Sequence, residues 1–296
     1  EQRRAVAVEL GFYGGAFTAL PGGWPERFLA LAEEFRSRGV VSGARCSTRP
    51  DACDPALLAR LRDRGLAMVE LGVQSFADAA LTACRRGHDA AQARNGCAAV
   101  RAAGLRLGVH LMPGLPGGTL RSLLADADEC AALGAESVRL HPCLVLADTP
   151  LARLWQAGRY RPWSLEKALA ACGLAVLRLW GAGLRVARLG LASEASLLGA
   201  VLDGPWHPAF GQRARSRALH LTLVQAWEAA GRPRGDLLVP VRHLPDVIGW
   251  RRELAPRYAR LGLGLKTHDE TFFLLPGSGA DKLLGGLKTA TPSGPP

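Results

Sequence analysis

Closely spaced cysteines are missing from this 296-residue chain. Its seven (Cys46, Cys53, Cys84, Cys97, Cys130, Cys143 and Cys172) come no closer than Cys46 and Cys53, with six residues between them. No pair has the two- to four-residue spacing of zinc or iron–sulfur ligands. An odd number in a chain of this length also argues against a disulfide framework, leaving small buried thiols as the expectation. Lysine is scarce: only Lys167, Lys266, Lys282 and Lys288 among 37 basic residues. No run of 18 apolar residues occurs, so no membrane span is expected. No signal peptide is visible, and the expected location is the cytoplasm. No Ser/His/Asp constellation or carboxylate pair stands out, which removes support for hydrolytic catalysis. What remains is ordinary for a globular protein: 48% hydrophobic and 21% charged residues, enough for one large α/β domain or one with an appendage.

The net charge of +11 favours an acidic partner such as nucleic acid. Nearly all of it is arginine in a chain rich in Ala, Gly and Leu, a pattern that also arises by compositional drift. The excess is steeper near the end, with 13 basic against 8 acidic groups over residues 201–296. Arg213, Arg215, Arg217, Arg251 and Arg252 are the candidates there for a basic surface.

Helix signals recur with clear stops. Asp54-Pro55 reads as a cap and first-turn proline, with Leu57, Leu58 and Leu61 as the apolar stripe and Gly65 as the stop. Asp89 opens a helix closed by Gly104, Thr119 opens one closed by Gly134, and Ser164 opens one running towards Gly181 and Gly183. Each is followed by a strand-like run: AMVELGVQ, LRLGVHLM, ESVRLHPCLVL and LRVARLGL. GARCST precedes Asp54, and a buried strand ending at Phe12 and Tyr13 precedes a helix over Trp24–Arg38. Such alternation predicts a parallel sheet wrapped by helices, either doubly wound or a barrel. Beyond residue 195 the pattern is looser: helical around WHPAF, a strand at DLLVPVRHL, a helix at WRRELAPRYARLG and a disordered tail at KTATPSGPP.

Glycine or polar residues follow four consecutive strands: Gly14-Gly15, then TRP, then QS, then PGLPGG. In parallel α/β folds that edge binds ligands. These residues also carry a resemblance. GFYGGAFTALP, RCSTRPD, VELGVQSF, RRGHD and HLMPGLPGGT stand in the order and spacing of the radical S-adenosylmethionine (SAM) superfamily. They most resemble the branch of the Elongator catalytic subunit and its bacterial relatives. Part of the set is shared with oxygen-independent coproporphyrinogen III oxidase. The resemblance covers roughly residues 6–190.

It implies a partial (β/α) TIM-like barrel over residues 1–195, to which the looser pattern beyond adds a small α/β C-terminal appendage over 196–285 and a disordered tail over 286–296. It implies reductive cleavage of SAM at a [4Fe–4S] cluster to a 5′-deoxyadenosyl radical. An electron donor such as flavodoxin or ferredoxin goes with that chemistry, and the substrate is left open, tRNA being one candidate. By the resemblance, Gly14, Gly15 and Ala16 approach the methionine end of SAM, where a Cβ would intrude. Thr48 and Arg49 contact the cofactor, Arg49 suiting the methionine carboxylate. Gln74 bonds the ribose, Arg86 faces the cofactor, and the backbone of Met112 to Leu115, Gly114 included, flanks the adenine. His88, His110 and His141 are substrate-side candidates, with a structural histidine the equal alternative for each.

One departure stands out. The family holds its cluster with three cysteines spaced CxxxCxxC, and no such run occurs here. On this reading the first βα unit and its cluster loop are lacking, and the cluster cysteines are expected upstream of Glu1, a first residue that is not methionine. No metal ligand is assigned in the chain, and the chain alone is expected to be inactive. The competing reading is a barrel that binds SAM, a nucleotide or RNA without catalysis. ARLGLG (residues 259–264) falls one residue short of an acetyl-CoA loop, so acetyl transfer is not expected.

Overall fold

Capping chemistry sets the helix starts in the computed structural model, which describes residues 7–191 and 194–276. The expected tail and the last residues of the expected appendage, 277–296, lie outside the described residues. So does Glu1, ahead of which the cluster cysteines are expected, together with the rest of residues 1–6. The chain groups into two compact units, residues 1–141 and 142–296, a division earlier than the boundary suggested near residue 195.

In the first unit β1 (Val8–Phe12) leads to α1 (Trp24–Ser37), β2 (Val41–Thr48) to α2 (Pro55–Asp63), and β3 (Leu66–Gln74) to α3 (Asp78–Ala83) and α4 (Ala90–Ala102). Then β4 (Arg106–Leu111) leads to α5 (Leu120–Ala132) and β5 (Ser137–Leu140). Asp54 accepts from the Leu57 amide at 2.7 Å, and Asp89 and Thr119 close capping boxes with Gln92 and Ser122. The strands pair in parallel in the order β1-β2-β3-β4-β5. That order has no reversal, whereas a doubly wound sheet switches direction at its middle. The unit is therefore part of a (β/α) barrel.

The central strands are buried on both sides: Met68, Val69, Leu71, Val73, Leu107, Val109 and Leu111 are all essentially inaccessible. Gly96 lets α4 sit against the turn after β2, because a Cβ there would stand 2.9 Å from Pro50 Cα and O. The first strand departs from expectation. Val8 is 60% exposed, and Leu31, Phe35 and Val40 are exposed too. β1 pairs only with β2 among the described strands, so it forms a sheet edge rather than a buried strand.

The second unit holds β6 (Val145–Leu146), α6 (Pro150–Gln156), α7 (Leu165–Gly181), β7 (Arg185–Leu189), α8 (Ala195–Ala200) and β8 (Val201–Asp203). It continues with α9 (Phe210–Ala229), β9 (Gly235–Pro240), α10 (Leu244–Ile248), α11 (Ala255–Arg260) and β10 (Leu263–His268). The expected strand ESVRLHPCLVL is two strands, because Pro142 has no N–H for a ladder. β9 and β10 pair in parallel over a core of Leu219, Leu223, Trp227, Leu237, Val239, Val247 and Tyr258. WRRELAPRYARLG is not one helix. A 3₁₀ turn over Trp250–Arg252 with left-handed Arg251 and Arg252 precedes α11, whose first turn takes Pro256. ARLGLG runs out of α11 into β10, the reverse of the strand-to-helix order of a phosphate-binding loop. No helix of the described residues is long and apolar enough to cross a membrane.

Candidate cofactor site

At the C-terminal edge of the sheet, the backbone after β1 turns at Gly14 with φ +110, which only glycine adopts without strain. A Cβ at Gly14 or Gly15 would meet nothing within 4 Å, so this stretch of backbone is uncovered. Ala16 then caps a 3₁₀ turn over Phe17–Ala19, anchored by Phe17 stacked on Phe12 at 4.9 Å. From that turn Thr18 donates to the Ala52 carbonyl at 2.6 Å and accepts from the buried Thr48 hydroxyl at 2.6 Å. Thr48 therefore spends its side chain on tying β2 to the turn after β1.

The other strand ends converge beside it. Gln74 closes β3 in the left-handed region with φ +70, an uncommon state for a residue with a side chain. Its amide folds back so that a Cβ on Gly72 would stand 2.9 Å from Gln74 Nε2, 3.6 Å from the Thr48 carbonyl and 3.8 Å from Arg86 Nη2. Arg86 donates to the Gly72 carbonyl at 3.4 Å, while its Nε is buried with no partner among the described residues. Burial, and then the charge of Arg49, lower its pKa below the usual arginine range. Arg49 is exposed and makes a two-point pair with Asp51. The Met112 amide donates to the Gln74 carbonyl at 2.8 Å, and Met112 and Gly114 line a small cavity with Ser75 and Asp126. Gly14, Gly15, Arg49, Gln74, Arg86 and Met112 thus all belong to one edge of the sheet.

The three histidines divide. His88 is buried behind that edge, with Nε2 3.2 Å from the Val73 carbonyl. His110 and His141 meet edge to face at 5.6 Å. His110 belongs to a charged network on one face of the sheet that no sequence motif indicated. Its centre is Glu70, 1% exposed. Arg139 donates to both oxygens of Glu70, at 2.6 Å from Nε and 3.0 Å from Nη2. His110 Nε2 lies 2.7 Å from Oε2, and the Tyr13 hydroxyl donates to Oε1 at 3.0 Å. Arg45 stands between Glu70 at 3.5 Å and Glu9 at 3.3 Å. Burial alone would raise the Glu70 pKa, but the hydrogen bonds from His110 and Arg139 and the charge of Arg139 outweigh it and bring it to about 2. Burial, and then the Glu70 charge, push Tyr13 up to about 12. Near neutral pH the centre is a carboxylate held by a neutral phenol and a guanidinium. The available signal was a lone charge inside each of three strand runs: Arg45, Glu70 and Arg139.

For the cofactors, the uncovered Gly14-Gly15 backbone and the orphaned Arg86 Nε fit a ligand with a carboxylate and a polar nucleoside, as SAM has. The cysteines do not fit an iron–sulfur cluster. Cys46, Cys97, Cys130, Cys143 and Cys172 are buried, burial raises the pKa of Cys46, Cys97, Cys130 and Cys172, and no three metal-binding side chains gather among the described residues.

The model of the Radical SAM superfamily matches residues 2–130, and that of the Radical_SAM C-terminal domain matches residues 135–219. Among curated proteins, the tRNA uridine(34) acetyltransferase of Methanocaldococcus jannaschii is 28% identical over 182 residues, 55% of this chain and 34% of its own length. That of Dehalococcoides mccartyi is 32% identical over 168 residues, 53% of this chain and 35% of its own. The chain spans about a third of the length of these relatives. Among solved structures, Elp3 of the archaeon Methanocaldococcus infernus with an N-terminal deletion aligns with a TM-score of 0.59 at 22% identity, over 78% of this chain and 57% of that one, a likeness of fold. Two adjoining domains of one superfamily thus follow each other along residues 2–219, and the chain belongs to the radical SAM superfamily.

Proposed function

We propose that the strand-end group binds SAM and that the protein is a radical SAM enzyme acting on tRNA. The observation that carries the cofactor assignment is the pairing of uncovered glycine backbone with an arginine whose buried Nε has no partner, both at one sheet edge. In this reading Gly14 and Gly15 approach the methionine end of SAM, and Arg86 and Arg49 hold its carboxylate. Gln74 takes the ribose hydroxyls, and Met112 to Leu115 flank the adenine. SAM, when bound, supplies a sulfonium-linked adenosyl group for radical chemistry. The superfamily's [4Fe–4S] cluster has no ligand set among the described residues, so the chain as given is expected to bind SAM without cleaving it. The neighbouring network holds Tyr13, His110 and Arg139 in fixed positions around Glu70. The tRNA assignment is supported by the relatives named as tRNA uridine(34) acetyltransferases.

Gly15→Val tests the site. Gly15 has no positive φ and its Cβ would meet nothing within 4 Å, so folding should be unaffected. Its methyls would occupy the space assigned to methionine, and SAM affinity by calorimetry should fall at least ~10-fold, or by about 1.4 kcal/mol. Unchanged affinity with an unchanged melting temperature would place the cofactor elsewhere.

A further inference from the structure

The arginines near the end of the chain do not act alike. Arg213 and Arg217 are only 12% and 14% exposed and are spent inside the second unit. Arg213 pairs with Glu253 at 2.8 Å and Glu166 at 3.1 Å, and Arg217 pairs with Glu166 at 2.6 Å. Arg215 faces Asp246 at 3.8 Å. Of the five arginines singled out in the sequence, Arg251 and Arg252 are the two left exposed and without an ion pair to a carboxylate among the described residues.

These two stand on unusual backbone. Arg251 and Arg252 have φ of +49 and +63, following Gly249 at +75. Left-handed conformations crowd a Cβ, and arginine lacks the short side chain that lets asparagine offset that cost locally. The strained pair is held by the surrounding fold. The Arg252 amide donates to the Gly249 carbonyl at 3.1 Å, Glu253 to Trp250 at 3.0 Å and Leu254 to Ile248 at 2.9 Å. Between the glycine and the arginines lies Trp250, half-buried, with His207 edge-on at 5.7 Å and the Arg251 guanidinium over its ring at 5.8 Å. On the other side, Arg252 and Lys266 flank a groove of about 510 Å³ floored by Leu244, Ile248 and Leu265.

We infer that the loop from Gly249 to Arg252 is a contact site for single-stranded RNA. A partly exposed indole with a guanidinium over its ring is a stacking group of the kind that takes an unpaired base. Two exposed guanidinium groups on adjacent residues, one over the indole and one at the groove, suit phosphates along a single strand. A duplex offers phosphates but no free base face, so the combination selects a single strand. The strain fits the role, because it holds charged side chains where relaxed backbone would not put them. The identity of the ligand as RNA rests on the tRNA reading above; the location does not.

The test uses the full 296-residue chain and a fluorescein-labelled single-stranded RNA of about 12 nucleotides, read by anisotropy across a salt series, with the duplex of the same sequence beside it. Trp250→Ala should weaken single-strand binding by about 10-fold, within the range of one lost stacking contact. The double variant Arg251→Asn and Arg252→Asn should weaken it too. It should also flatten the slope of log affinity against log salt by about 1.4, from ~0.7 for each of two phosphates on a single strand. Asparagine tolerates the left-handed backbone, so the double variant should melt at the same temperature or higher. A merely structural loop would leave RNA affinity and the salt slope unchanged in the double variant. If the unaltered chain binds RNA and the variants match it in affinity and slope, this site is overturned and the tRNA reading stands. Duplex bound as tightly as single strand also overturns it. Failure of the unaltered chain to bind RNA at low salt overturns both.

Discussion

Glu70→Gln removes one charge from the most enclosed polar site in the first unit. Its cost can be worked in two ways. A carboxylate pKa lowered from 4.5 to about 2 means that folding stabilises the ionised form by about 3 kcal/mol, at 1.36 kcal/mol per pH unit. Breaking a buried ion pair, here with Arg139, costs ~3–5 kcal/mol because the surviving charge is left without its partner. The two agree. The glutamine amide also turns donors towards Arg139 and His110, where the carboxylate only accepted. A loss of about 3 kcal/mol corresponds to a melting temperature lower by roughly 6–12 °C. Acid gives a sharper check. The folded pKa lies below the unfolded one, so the contribution is complete above pH 4.5 and disappears as pH falls towards 2. The stability gap between unaltered and variant protein should therefore shrink from about 3 kcal/mol at pH 7 to roughly 1.4 at pH 3. Urea unfolding at a series of pH values measures it. A gap below ~1 kcal/mol at pH 7, or one equally large at pH 3, would refute the network's role in stability.

Asp126 should behave with the opposite sign. Burial raises its pKa from 3.8 to about 6 despite bonds from the Phe76 amide and the Ser75 hydroxyl, both 2.8 Å. The folded state then holds its proton longer, and stability declines as pH rises from 3.8 to 6. Relative to the unaltered chain, Asp126→Asn should gain about 2–3 kcal/mol between pH 4 and pH 7, and a pH-independent difference in urea unfolding would count against it. Gly96→Ala should destabilise by about 1–3 kcal/mol in thermal melts, because its Cβ would meet Pro50 at 2.9 Å. Gly→Ala on an open helix face stabilises by up to ~1 kcal/mol, so a higher melting temperature would show that α4 can withdraw from Pro50.

What could be read from the sequence was local. Asp54, Asp89, Thr119 and Ser164 cap the helices they were expected to open, because an N-cap bonds an amide three residues away and needs nothing from the rest of the chain. The run AMVELGVQ is a strand for the same kind of reason, since length, flanking turn residues and apolar content all lie within it. The glycine and polar residues at the strand ends were legible one strand at a time.

Tertiary structure decided what depends on distant neighbours. Glu70 looks like a misplaced charge in an apolar strand until β5 brings Arg139, 69 residues on, against it. The same holds for Arg213 and Arg217, which composition counted as surface charge and which the fold turns inward onto Glu166 and Glu253. Val8 alternates like a buried residue and lies on an open sheet edge, because alternation reports a face and not the presence of something to cover it. The left-handed turn at Arg251 and Arg252 had no local cause to betray it. Capping, strand content and turn chemistry are short-range and sit in the order of residues, whereas ion pairing, burial and stored strain are set by which distant segments the folded chain brings together.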